Sequence, residues 1–134
     1  MSQKFISYLQ KQKFKQGETL ESEALIVAQK VLYNMGLSFI PDAYGKFLKQ
    51  HNGIKAGDCY LFGATVDDDL DIIDQNKLMR KPDNTLLLGY NDFDLLCYNF
   101  KQKNYQIVDR NDWKVLETYD ENDLDDALLH IFNI

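Results

Sequence analysis

The sequence predicts an α+β fold, with an antiparallel or mixed sheet of four to six strands and helices packed around it. Apolar residues recur at helical spacing between Thr19 and His51 and again after Asp120, whereas from Asp58 to Tyr119 they alternate or form short blocks closed by turn residues. Strands joined by short turns, with helices at both ends, pair antiparallel. The 134 residues are 45% hydrophobic and carry only 2 Pro and 7 Gly, a composition that buries a core and is unlike a disordered chain. No Pro/Gly/Ser-rich linker or repeat divides residues 1–134, so they read as a single domain, with 1–17 as an N-terminal extension.

Within that extension Phe5, Tyr8 and Leu9 stand at helical spacing ahead of Lys11, Lys13 and Lys15, which predicts a short amphipathic helix. Thr19 is suited to cap the next helix, with Glu21 and Glu23 in its first turn. Ala24, Ala28, Val31 and Met35 would form its inner face, and Gly36 its stop. Pro41 opens a further helix at its first turn, where a missing N–H costs nothing. Tyr44, Phe47, Leu48 and His51 follow at i, i+3, i+4 and i+7, and Asn52-Gly53, both tolerant of positive φ, ends it.

Cys59 to Phe62 reads as a strand closed by Gly63, and Thr85 to Leu88 as one closed by Gly89. Asp94 to Phe100 and Tyr105 to Asp109 alternate on either side of a polar turn at Lys101 to Asn104, the pattern of a β-hairpin. Trp113 to Tyr119 is a further strand. Asp120 is placed to cap a last helix whose inner face is Leu124, Leu128 and Ile131.

The longest apolar run, Ala24 to Ala28, is far below the ~18–20 residues that cross a bilayer, and the first residues lack a secretory apolar core, so a cytoplasmic protein without membrane contact is expected. Cys59 and Cys97 have no CxxC spacing and read as buried, reduced thiols. Charge is unevenly distributed. Residues 1–57 carry 8 Lys/Arg and 4 Asp/Glu, a balance of +4, and residues 58–134 carry 7 and 17, a balance of −10. Such an acidic half repels phosphate backbones, which argues against nucleic acid, and attracts a basic partner or serves as a solvated face.

Asp67, Asp68, Asp69 and Asp71 resemble the start of a calcium loop, but the sixth position is Ile72 where a sharp turn wants Gly, and the twelfth is Leu78 where a bidentate Glu is needed. They read instead as an exposed loop leading into a short helix, with Leu70 and Ile73 inward, and no metal is expected. His51 and His130, the two histidines, both fall on predicted helices, and no GxSxG elbow, phosphate-cradling Gly-rich loop or HExxH occurs. No catalytic residue and no cofactor is assigned, so the chain is expected not to be an enzyme. A small hydrolase would require titratable side chains to converge in an enclosed pocket.

The most specific stretch runs from Ile40 to Gly53, Ile-Pro-Asp-Ala-Tyr-Gly-Lys-Phe-Leu-Lys-Gln-His-Asn-Gly, followed by Tyr60-Leu61-Phe62-Gly63. It resembles the SUKH superfamily, which includes bacterial immunity proteins and a yeast cell-wall-assembly regulator. Pro41, Tyr44, Phe47, Leu48, Asn52 and Gly53 match its structural motif, and Asp71, Asn76, Gly89, Asp94, Tyr98, Tyr105, Ile107, Asp109, Leu124 and Leu128 extend the likeness. Ile40 stands where Leu is common, and Ile54-Lys55 where a bulkier aromatic is common. The resemblance implies an immunity protein that binds and neutralises a cognate toxin, nucleases being one such class. It also allows a non-catalytic regulatory or scaffolding module related to cell-wall regulation. The acidic half adds its own argument for a basic partner. Asp67, Asp68, Asp69, Asp92 and Asp94 are the candidate contacts, with Tyr90, Phe93 or Trp113 as apolar anchors.

Overall fold

The computed structural model describes residues 15–16, 20–56, 58–64, 71–78 and 80–132. Among these, the strands are β1 (Lys15–Gln16), β2 (Ile54–Ala56), β3 (Cys59–Leu61), β4 (Thr85–Tyr90), β5 (Asp94–Asn99), β6 (Asn104–Asp109) and β7 (Val115–Asp120). The helices are α1 (Ser22–Asn34), α2 (Asp42–Gln50), α3 (Ile72–Leu78) and α4 (Leu124–Ile131). The strands form one sheet in chain order, every neighbouring pair antiparallel. The α+β expectation holds, with six strands beside the two-residue β1.

Lys15 and Gln16 belong to the extension for which a helix is expected, yet they pair with Lys55 and Ile54 as a strand. Main-chain bonds offered by the edge of β2 override local spacing there. Residues 1–14, where that helix was placed, lie outside the described residues.

α1 is present, but its inner face is Leu25, Ala28 and Leu32, while Ala24, Val31 and Met35 are only half-buried. Residues 24–28 are apolar throughout, so the spacing fits two adjacent faces equally and only packing selects one. Glu21 occupies the N-cap position; Thr19 lies outside the described residues. Gly36 stops the helix as expected. At φ +85 it donates its N–H to Tyr33 O while Leu37 donates to Leu32 O, the paired bonds of a Schellman ending.

Pro41 sits one residue before α2, with ψ 143, rather than in its first turn. Tyr44, Phe47 and Leu48 are buried as expected. The Tyr44 hydroxyl donates to Phe62 O and Leu88 O, tying α2 to β4 and the end of β3. Gly53 takes positive φ, but Asn52 does not. The Asn52 side chain instead brackets one residue, accepting the Ala64 N–H at 2.8 Å and donating to Ala64 O at 2.6 Å.

His51 falls just past α2, half-buried with its ring 5.6 Å from Phe47, and burial lowers its pKa from the ordinary 6.5. The folded chain thus holds this proton less well than the unfolded one. The associated stability is present above pH 6.5 and is lost as pH falls through the folded-state value. An NMR titration of the His51 ring should give a midpoint below 6.5; a midpoint at or above it would contradict the packing described.

β2 is not apparent from the sequence, whereas β3, β5, β6 and β7 match it to within two residues at each end. Gly89 does not close β4; it lies within it, beside a register irregularity between Leu87 and Gly89. Asp120 does not cap α4. Asp123 precedes that helix, and Asp120 instead stabilises the preceding turn by accepting the Asn122 and Asp123 N–H groups. Leu124, Leu128 and Ile131 are buried as expected. Leu70 lies outside the described residues. Ile73 is only half-buried, and the inward apolar residue among those described in α3 is Ile72.

Tyr98, Tyr105 and Tyr119 are cross-strand neighbours on one sheet face, and α4 covers it, with the Tyr119 hydroxyl 2.7 Å from His130 Nδ1. Cys97, Gln106 and Thr118 form the corresponding row on the other face. Cys59 and Cys97 are free and buried, and burial pushes both thiols up to about 12, so they stay protonated and behave as apolar filling. No described helix is long and apolar enough to cross a membrane.

Candidate partner-binding surface

The turn between β4 and β5 brings together four of the residues singled out from sequence: Tyr90, Asp92, Phe93 and Asp94. Buried Asn91 builds this turn. Its Oδ1 accepts the N–H groups of Phe93 at 2.9 Å and Asp94 at 2.7 Å, and its Nδ2 donates to Ile131 O at the end of α4. With the turn pinned from within, Asp92 and Phe93 project outward. Phe93 is 75% exposed, an apolar ring held in water beside a carboxylate.

Tyr90 is less available than its sequence context implies. Its ring centroid lies 5.0 Å from Tyr60 and 5.7 Å from Phe62, and the Arg110 guanidinium sits 4.8 Å above it. Lys55 lies 5.2 Å from the Tyr60 ring, so a row of cation, ring, ring and cation crosses strands β2 to β4. Arg110 also donates from Nη1 to Asn91 O at 2.8 Å and from its backbone N–H to Phe93 O, joining the β6–β7 turn to the β4–β5 turn. Asp92 is fully exposed. A hydrogen bond with the Asp58 carboxyl raises its pKa above the usual carboxylate value, with desolvation and the Asp58 charge adding to this and Arg110 opposing it.

Trp113 lies in the β6–β7 turn at the same end of the sheet, at φ 62 and half-buried, bounding a cleft of about 310 Å³ with Pro82, Thr85, Gln106, Val108 and Thr118. It is an element of that sheet face rather than a companion of Phe93. Asp67, Asp68 and Asp69 lie outside the described residues. Sequence reasoning missed Asp58 and Arg110, whose roles depend on turns meeting across the sheet end, and, although it placed β7, it missed that this strand is exposed along most of its length. It also missed the apolar outer side of α1, where Ile26, Val27 and Tyr33 are exposed and Tyr33 stacks on Phe39 at 5.1 Å.

No family model and no curated protein matches this chain. Its surface chemistry must be read from its own side chains.

A cleft of about 640 Å³ lies between residues 38–43 and the β5–β6 turn, with Phe39, Tyr98 and Phe100 as walls and Asp42, Glu121, Lys46 and Lys103 around it. The Tyr98 hydroxyl donates to Glu121 Oε2 at 3.1 Å, and burial together with that carboxylate pushes Tyr98 up to about 12. Burial likewise raises Tyr105, whose buried hydroxyl has no partner among the described residues. Both phenols are thereby held in their protonated form at neutral pH. Among the described residues no three His, Cys, Asp or Glu side chains group to hold a metal ion. The arrangement is equipped for contact: a pinned turn, an exposed aromatic, and carboxylates around it.

Proposed function

We propose that this chain is a SUKH-type immunity protein that acts in the cytoplasm, binding and neutralising a basic protein toxin without cofactor or catalytic step. The observation that carries the reading is the −10 balance of residues 58–134, together with exposed carboxylates beside the protruding Phe93. Clustered negative charge accelerates encounter with a cationic partner and orients it, while a desolvated aromatic slows release. The buried Tyr44, Phe47 and Leu48 of α2 and the Asn52-Gly53 turn into β2 support the family part of the proposal.

The test is co-expression with the toxin domain encoded beside this chain. Rescue of growth is expected, with a complex that weakens as salt rises and loses about tenfold affinity or more on Phe93→Ala. Neither binding nor protection would overturn the proposal. A stable non-toxin partner recovered from unstressed cells would favour the scaffolding alternative.

A further inference from the structure

β7 is the last strand of the sheet, and among the described residues nothing pairs with its outer edge. An open edge offers a row of unpaired N–H and C=O groups, and proteins usually blunt one with Lys, Pro or a bulge. Val115–Asp120 contains neither Lys nor Pro. Its one irregularity lies near its start, between the partners of Ile107 and Val108, and from Glu117 to Asp120 it runs in unbroken register with β6. Val115 and Leu116 are 45% and 48% exposed.

What distinguishes this edge is charge. Among the described residues from 112 to 123, exposed Asp112, Glu117, Asp120, Glu121 and Asp123 stand against exposed Lys114, with exposed Arg110 and Lys103 in the turns that adjoin the two ends of the strand. Two copies of β7 laid edge to edge would bring two net negative strands together, so the carboxylates oppose self-pairing. The same carboxylates attract a cationic strand, to which the edge adds main-chain hydrogen bonds.

We infer that the outer edge of β7 receives an extended, Lys- or Arg-rich segment of the partner protein as an added strand. The inference rests on the partner-binding reading above and gives it a location and a mode of contact. β7 begins just past the turn that Arg110 ties to Phe93, so the start of the strand lies at the same end of the sheet as the aromatic anchor.

The probe is a synthetic peptide of alternating Lys and Val, about as long as β7, added to the full chain and followed by amide NMR. Shifts and slowed exchange are expected at alternate β7 amides, weakening as salt rises. A peptide of the same charge, N-methylated at alternate amides, should bind at least about tenfold more weakly, because its donors are lost while its charge is kept. An alternating Glu and Val peptide should not bind, and Glu117→Lys with Asp120→Lys should reverse the preference between the two peptides. Shifts confined to other elements, undiminished binding of the N-methylated peptide, or concentration-dependent protection of β7 without peptide would each overturn the inference, the last assigning the edge to a second copy. Toxin protection without peptide binding at β7 would reject the edge and leave the immunity reading standing. Peptide binding without protection would do the reverse.

Discussion

Asn76→Ala should lower the free energy of unfolding by about 3 kcal/mol, because it removes at once the side-chain partner of three main-chain groups. Asn76 accepts the Leu87 N–H at 2.8 Å and donates to Leu87 O at 2.9 Å and Ile72 O at 2.7 Å. Leu87 adjoins the irregularity in β4, and its side chain is fully buried, so no water replaces the lost bonds. The thermal midpoint should fall by roughly 10 °C for a domain of this length. Lys77→Ala, one residue along the exposed side of α3, should change stability by less than about 0.5 kcal/mol. Equal midpoints for the two variants would mean that Asn76 does not bracket the strand.

Gly89→Ala should be at least as damaging, at about 3 kcal/mol or more, and for a different reason. A Cβ at this position would lie 2.4 Å from Tyr60 O, 2.9 Å from Leu61 Cδ2 and 3.2 Å from Leu61 Cα. The nearest of these is backbone of the neighbouring strand, so relief requires β3 and β4 to separate, which disturbs the Tyr60–Tyr90 pairing and the row of rings above it. Denaturant midpoints would measure the loss. A variant matching the parent would show that the strands are not held this closely. Gly36→Ala is a useful contrast: nothing stands within 4 Å of its added Cβ, and the cost is confined to a φ of +85.

These two sites show where sequence reasoning stops. Gly89 reads as a strand end because glycine often punctuates apolar runs, and only the neighbouring strand reveals that it marks a close approach. Asn52, Asn76 and Asn91 are all buried, and each brackets main-chain groups of other segments. Nothing in their immediate neighbours reveals the distant partner of each, since those main-chain groups lie 11 to 40 residues away. The candidate surface divides in the same way. Asp92, Phe93 and Asp94 are legible because one short turn carries them, but Arg110 and Asp58 join them only through contacts between turns.

Periodicity and turn chemistry, both local, were enough to determine the α+β class, the β5–β6 hairpin, the buried ring and aliphatic positions of α2, and the chain stop at Gly36. These depend on backbone sterics and on which side chains avoid water, and both are written into a few consecutive residues. The tertiary structure decided which face of α1 turns inward, that Lys15 and Gln16 become a strand, and that among the described residues β7 is left as an open, acidic edge. Each of those outcomes depends on what a distant segment offers or withholds, and hydrogen-bond partners and excluded volume supplied across the fold have no signature in local spacing.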